Sequence, residues 1–431
     1  MRGSAFLVSI LGVASLCRGI FRGWGDVSFH GSSQIPTPNL DVLAADGIIL
    51  NNYYVAPFCT PSRASLLTGL YPIRTGMQGA PIEIAQPWGM STDVRILPQY
   101  LKEFGYETHL VGKWHLGSYK ESLTPTCRGF DSFYGFYNGE EGYYSHTLNY
   151  GNHTGLDFWF NKEPMWSDSG NYSTSLYTKR AQTIIKNVTN TKPLFLVVAY
   201  QATHSAVGAQ LQEAPQEHTD KFSYIGNEER TIYAGGDATK MVGLDGHDMW
   251  RSLSFGLPSP RTEVLYNYDS SFTGFAALRD LRYKLVLNGT GMFDDRANIP
   301  GRRRPYHDLD DLLSKSTIAG VLRGLYKKEK LDLPRSWRRK ARLTCGTHKT
   351  ANFSVSASVY LFDIVDDPCE LNNLASTLPD VVASLKKRLD AFGAAAAPVR
   401  NHLTIDPASF PENHGGTWAP WVPSECPTSS R

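Results

Sequence analysis

Cys59 opens the run Cys59-Thr60-Pro61-Ser62-Arg63, and a later run, Val111-Gly112-Lys113-Trp114-His115-Leu116-Gly117, carries a lysine and a histidine two residues apart. Arg63 falls at the start of a predicted helix, where its cationic fork and the helix N-terminus together steady negative charge. Residues 113 and 115 alternate along an extended backbone and so face one side, where Lys113 can hold an anion and His115 can accept or relay a proton. A further histidine, His204, follows the apolar run PLFLVVAY at a predicted strand end, the place where α/β sheets gather ligands. Taken singly, each has a plainer reading: a buried cysteine in a strand–helix turn, a capping arginine, a structural histidine.

Helices and strands alternate around these residues. The patterns predict helices over 39–47, 63–68, 97–104 and 177–187, and strands over 48–55, 107–111 and 193–200. The last is a near-continuous apolar run of the kind a buried parallel strand shows, so an α/β sheet covered on both faces is expected. Beyond residue 235 the pattern changes to short strands at 265–268, 277–278, 283–287 and 359–362, with an amphipathic helix at 379–392. The natural division is a leader at 1–19, a first region at 23–236, a smaller α+β region at 237–396 and an extended surface tail at 397–431.

The 431 residues can bury a sizeable core, and 19% charged residues with a net charge of +2 give no case for nucleic acid or a membrane surface. The basic clusters Arg302-Arg303-Arg304 and Arg338-Arg339-Lys340 read as solvated loop charge. Arg2 followed by an apolar stretch at 5–16 has the proportions of a secretory signal, too short to span a bilayer. Five N-x-S/T sequons, at Asn152, Asn171, Asn187, Asn288 and Asn352, agree with passage through the secretory route to a lysosomal or extracellular destination. With Cys17 in the leader and Cys59 committed to chemistry, Cys127, Cys345, Cys369 and Cys426 remain for disulfides, their pairing open.

The two motifs together resemble the sulfatase family signature, C-x-P-S-R with Leu67-Thr68-Gly69 after it, and the family's G-K-W-H-L-G segment. Gly23-Trp24-Gly25-Asp26-Val27, Thr37-Pro38-Asn39-Leu40-Asp41, Cys127-Arg128-Gly129-Phe130-Asp131 and Tyr143-Tyr144-Ser145-His146 follow in the family's order, with the arylsulfatase B branch and its I and J relatives the most similar. The resemblance implies an alkaline-phosphatase-like fold, a mixed central sheet flanked by helices with a smaller C-terminal α+β region. It also implies a sulfuric ester hydrolase acting on sulfated glycosaminoglycan sugars, and oxidation of Cys59 to formylglycine by a formylglycine-generating enzyme. Arg63 would steady the resulting diol, whose two oxygens let sulfate be eliminated rather than trapped as an ester. Lys113 and His204 would bind the sulfate, His115 would relay a proton, and His204 would protonate the leaving alcohol. Residues 205 and 206 depart from the family's His-x-Pro pattern.

The family also implies Ca²⁺, held by formylglycine and several carboxylates. Here residues 19–22 (GIFR) stand where an aspartate pair would end the first strand, and that strand is missing as well. A D-N-G segment and a sulfate-binding lysine, expected between the regions around 235 and 244, are also missing, and Asp237, Asp245 and Asp248 read as structural. Of the metal shell only Cys59 is left, so feeble or no turnover is expected. The alternative is a non-catalytic protein that binds sulfated glycans. A phosphatase of the wider superfamily would need a Ser or Thr nucleophile and zinc-binding His/Asp clusters, which the sequence does not offer.

Overall fold

The computed structural model describes residues 27–32, 35–51, 53–189, 191–206, 213–225, 252, 256–271, 273–289, 308–331, 333, 336–341 and 357–426. The leader, residues 19–22, Asp237, Asp245, Asp248, the cluster at 302–304 and Asn352 lie outside them.

Three of the predicted helices take shape from local signals. α1 (Pro38–Asp46) starts with proline in its first turn and stops at Gly47. α2 (Cys59–Thr68) begins four residues earlier than the sequence suggested, directly after Phe58 in extended conformation, and closes at Gly69 with φ 71°. The short α3 (Pro72–Thr75) follows, then α4 (Leu97–Glu103).

The strand β1 (Glu107–Gly112) is an interior strand of the first sheet, paired on both sides, with every residue but the first buried. Around it are β2 (Ser132–Gly135), a separate hairpin of β3 (Thr147–Tyr150) and β4 (His153–Leu156), then β5 (Trp159–Phe160), β6 (Glu163–Pro164), α5 (Ser173–Asn187) and β7 (Leu194–Ala199). The sheet order is β6-β5-β2-β1-β7. β1 runs parallel to β2 and β7, and β2 antiparallel to β5, so the sheet is mixed. Its faces are filled by Leu110, Trp114, Phe130, Phe133, Tyr137 and Trp159 on one side and by Val111, Phe136, Phe158, Tyr177 and Ile184 on the other. Each large side chain so buried stabilises the fold by about 1.5–3 kcal/mol.

A second sheet joins β8 (Val264–Tyr268), β9 (Ala276–Arg279), β10 (Tyr283–Leu287) and β11 (Val359–Asp363), antiparallel in the order β11-β10-β9-β8. The helix Pro379–Ala394 packs Leu385 and Leu389 against it. This is the mixed α/β architecture with a smaller α+β region that the sequence pointed to.

Three expectations change. The described residues of 48–55 (48–51 and 53–55) are not a strand: Ile48, Leu50, Tyr53, Tyr54 and Val55 are between 38 and 60% exposed. The residue types suit a strand, but a strand persists only with a hydrogen-bonding neighbour, and among the described residues none pairs with this stretch. The tail is extended but not merely on the surface. Trp418 is buried against Ala85 and Leu148, Thr417 bridges Leu156, and Cys426 is disulfide-bonded to Cys127. Cys369 is disulfide-bonded too. Finally, Arg338 is no solvated loop charge, because it pairs with buried Asp41 at 2.9 Å and with Asp310 at 3.0 Å.

Candidate active site

Cys59 is the first residue of α2, so its side chain sits at the positive end of that helix, and it is a buried cysteine outside any disulfide. One turn on, half-buried Arg63 donates from Nη1 to the backbone oxygen of Lys113 at 2.8 Å. That single bond joins the helix carrying the cysteine to the end of β1. Burial brings the guanidinium down to about 10, with Cys59 pulling the other way, and it stays charged at neutral pH.

β1 stops at Gly112, where φ is 100° and a Cβ would lie 2.0 Å from the oxygen of Ala199. Only glycine lets the chain turn here while the Lys113 amide still donates to that same oxygen at 2.9 Å. Trp114 then anchors the turn, its indole donating to the oxygens of Gly117 and Leu123 at 3.0 and 3.1 Å. His115 follows with φ 56°, so residues 113–115 are not the plain extended run expected from alternation. Lys113 and His115 still end up beside Cys59, placed there by a turn. Each is only 3% exposed.

His115 Nε2 lies 2.7 Å from the carbonyl oxygen of Ile82, which fixes the neutral ring with its proton on Nε2. The Cys59 side chain is the ring's second hydrogen-bonding partner, which leaves buried Nδ1 as the nitrogen facing it. Burial first, and then the Lys113 charge, lower the ring to about 4, with Cys59 and the Ile82 bond partly opposing both. The result is an unprotonated nitrogen held ready beside the thiol. Thr60 locks this layer, accepting from the Ile82 amide at 3.1 Å and donating to the His115 oxygen at 3.2 Å.

His204 lies beyond the end of β7 as expected and is buried. The segment 138–141 connects the two halves: Gly139 lies flat against the His115 ring, where a Cβ would meet Cε1 at 2.9 Å, and Glu140 reaches His204 at 3.6 Å. Glu83 also belongs to the rim. Desolvation raises its carboxyl, Glu140 and Cys59 push the same way, and Lys113 opposes them. Glu83, Gly139 and Glu140 escaped the sequence reading, since a Gly-Glu-Glu-Gly run shows no periodicity or motif. Its nearness to the Tyr-Tyr-Ser-His run was the only available hint.

The donor set does not suit a hard divalent cation. Around Cys59 are a guanidinium, an ammonium and an imidazole, with the Glu83 carboxyl, raised by burial, at the rim. Among the described residues only Glu121, Cys127 and Cys426 bring three possible ligand atoms together, and both sulfurs there are in the disulfide. What the pocket favours is an anion. Of the sequons, Asn152, Asn171, Asn187 and Asn288 are exposed. No helix among the described residues is long and apolar enough to cross a membrane.

The sulfatase family profile matches residues 21–275. Arylsulfatase J of Mus musculus is 32% identical over 94% of this chain and 79% of its own length. That alignment runs over 517 positions against 431 residues here, so the relative carries segments with no counterpart in this chain. Homo sapiens N-acetylgalactosamine-6-sulfatase is 36% identical over 43% of this chain and 38% of its own length. Among solved structures, Ps i-CgsB superposes with a TM-score of 0.60 at 20% identity, covering 88% of this chain and 91% of that one. The structure of BT4656 with its substrate D-glucosamine-2-N,6-O-disulfate superposes with a TM-score of 0.52 at 14% identity, covering 88% and 97%. The chain belongs to the sulfatase family, the sulfuric ester hydrolases.

Proposed function

We propose that the Cys59 pocket binds the sulfate group of a sulfated sugar and is built to cleave its ester, with turnover in this chain limited by an incomplete cation site. The observation that carries this reading is the placement of Arg63, Lys113 and His115 around a buried cysteine at a helix N-terminus. Oxidation of Cys59 to formylglycine would supply an oxygen nucleophile there. Arg63 and the helix end favour negative charge on that oxygen, and Lys113 provides a buried ammonium for the sulfate. His115, neutral down to acidic pH, offers Nδ1 to take a proton from the nucleophile's side. His204 faces the leaving alcohol. The names of the curated relatives support a sulfated amino sugar as substrate class.

A Lewis acid at such a centre contributes several kcal/mol, and a loss of about 4 kcal/mol is roughly a thousandfold in rate. The same shortfall favours the second reading, a binder of sulfated glycans with little turnover. Exposed sequons and the Cys127–Cys426 disulfide support passage through an oxidising secretory compartment, where the modifying enzyme could act.

The test is production in secretory cells, mass spectrometry of the peptide holding Cys59, and assay with a chromogenic aryl sulfate. An aldehyde mass at Cys59 with turnover lost in Cys59→Ala supports the hydrolase. An aldehyde without turnover but with sulfated-glycan binding supports the binder. An unmodified thiol with no sulfate affinity overturns both.

A further inference from the structure

Around His204 the acceptors gather on one side of the ring. Nδ1 is 3.0 Å from the backbone oxygen of Ser205 and 3.6 Å from Oε2 of Glu140. The Ser205 hydroxyl, itself 3.3 Å from Nδ1, donates to that same Glu140 oxygen at 3.0 Å. On the opposite side Nε2 is buried with no hydrogen-bonding partner, in a residue only 8% exposed. The backbone behind is fixed by the Tyr143 hydroxyl, which donates to the His204 oxygen at 2.8 Å. A buried nitrogen without a partner is costly unless something visits it, and the surrounding acceptors have already decided which nitrogen that is.

Resting on the reading above, we propose that Glu140 is the positioning residue for His204: it holds the ring with Nδ1–H turned inward and Nε2 open to the substrate, and it steadies the ring while it carries both protons. In the reaction the bond between sulfur and the sugar oxygen breaks as the bond from sulfur to the nucleophile forms. The electron pair of the broken bond goes to the sugar oxygen, the Nε2 proton moves to that oxygen, and His204 is left neutral with its proton on Nδ1. Glu140 touches neither substrate nor nucleophile. Because Gly139 rests on the His115 ring, one short segment sets the position of both histidines.

The test is Glu140→Gln. The carboxyl is partly exposed, so the variant should fold, with circular dichroism as the check. A sugar sulfate has a poor leaving group that needs a proton, whereas 4-nitrophenyl sulfate does not. The expected result is a fall in kcat on the sugar sulfate at least tenfold greater than on the aryl sulfate. Equal falls on both would overturn the proposal. The second measurement does not depend on turnover: ¹⁵N-histidine spectra at pH 8, with His204→Asn identifying the signal. Wild type should show the Nδ1–H tautomer, and Glu140→Gln should move the ratio about tenfold toward Nε2–H. An Nε2–H ring in wild type, or an unchanged ratio, would overturn the positioning role. A wild type inert on both esters with the expected spectra would count against hydrolysis while leaving the role of Glu140 supported.

Discussion

His115 should make the folded chain less stable in acid, and Glu141 should hide the effect. With a folded-state value of about 4 against 6.5 unperturbed, His115 stays neutral after the unfolded chain has taken up its proton. Its contribution is therefore full above pH 6.5 and is lost as pH falls toward 4. Between pH 7 and pH 5 the loss comes to about 2 kcal/mol. Glu141 works in the other direction. It is fully buried, accepts from the Tyr177 hydroxyl at 2.9 Å, and burial raises it to about 7. The folded chain takes up that proton first, so stability rises by about 2 kcal/mol over the same interval. Wild type should therefore look nearly flat with respect to these two groups.

The perturbation that exposes them is His115→Gln, whose amide can still donate to Ile82 but does not titrate. Urea unfolding at pH 7 and pH 5, on chain with Cys59 unmodified, should show this variant gaining about 2 kcal/mol relative to wild type on acidification, and Glu141→Gln losing about as much. Parallel profiles for wild type and His115→Gln would refute the argument, because a ring that titrates alike in both states is neither desolvated nor pressed by Lys113. The functional meaning is direct. At pH 5 a ring at about 4 is roughly 90% neutral, so its Nδ1 lone pair survives where an ordinary imidazole would be mostly protonated.

Lys113→Met should weaken binding of inorganic sulfate by about 10- to 100-fold, the loss of one charge-assisted contact, as read by calorimetry with and without chelator. Gly139→Ala should press on His115, breaking the 2.7 Å bond to Ile82 and weakening the pocket with a stability change of only about 1 kcal/mol; sulfate affinity and urea unfolding measured together separate the two. Arg338→Met strips the partner from Asp41, which is 1% exposed and already raised by burial, and should cost about 3 kcal/mol in urea unfolding. Cys426→Ser should release the tail that covers Ala85 and Leu148, lowering stability by about 2–4 kcal/mol and admitting protease cleavage within 397–426.

Much of the architecture was legible because it is written locally. β7 is an apolar run with nothing polar to interrupt it, α1 has a proline before and a glycine after, and both appear almost where the pattern put them. Of the candidate site, Cys59, Arg63, Lys113 and His115 could be named from the sequence because they sit in short motifs with a chemical meaning. Gly139 and Glu140 were not, because their roles exist only across space, against a ring 24 residues away and another in the turn after β7. The docking of the tail was hidden for the same reason, since a Pro-rich stretch carries no sign of the distant groove that receives Trp418.

The stretch 48–55 failed in a more instructive way. Its residues have the composition of a buried strand, and its flanks, α1 and α2, fold as expected, so nothing local explains five large apolar side chains left in solvent. A strand is a contract between two segments, and propensity describes only one party to it. The long alignment gaps against arylsulfatase J show that this chain lacks segments its relative has. Among the described residues the Cys59 pocket is lined mainly by cations, with the Glu83 carboxyl at its rim. If the segments present in the relative hold both a partner strand and the cation's carboxylates, one difference accounts for the exposed apolar patch and for weak turnover together. Restoring the relative's missing segments should bury 48–55, raise the yield of soluble protein and add calcium-dependent activity together. Recovering any one of these without the others would separate the two effects.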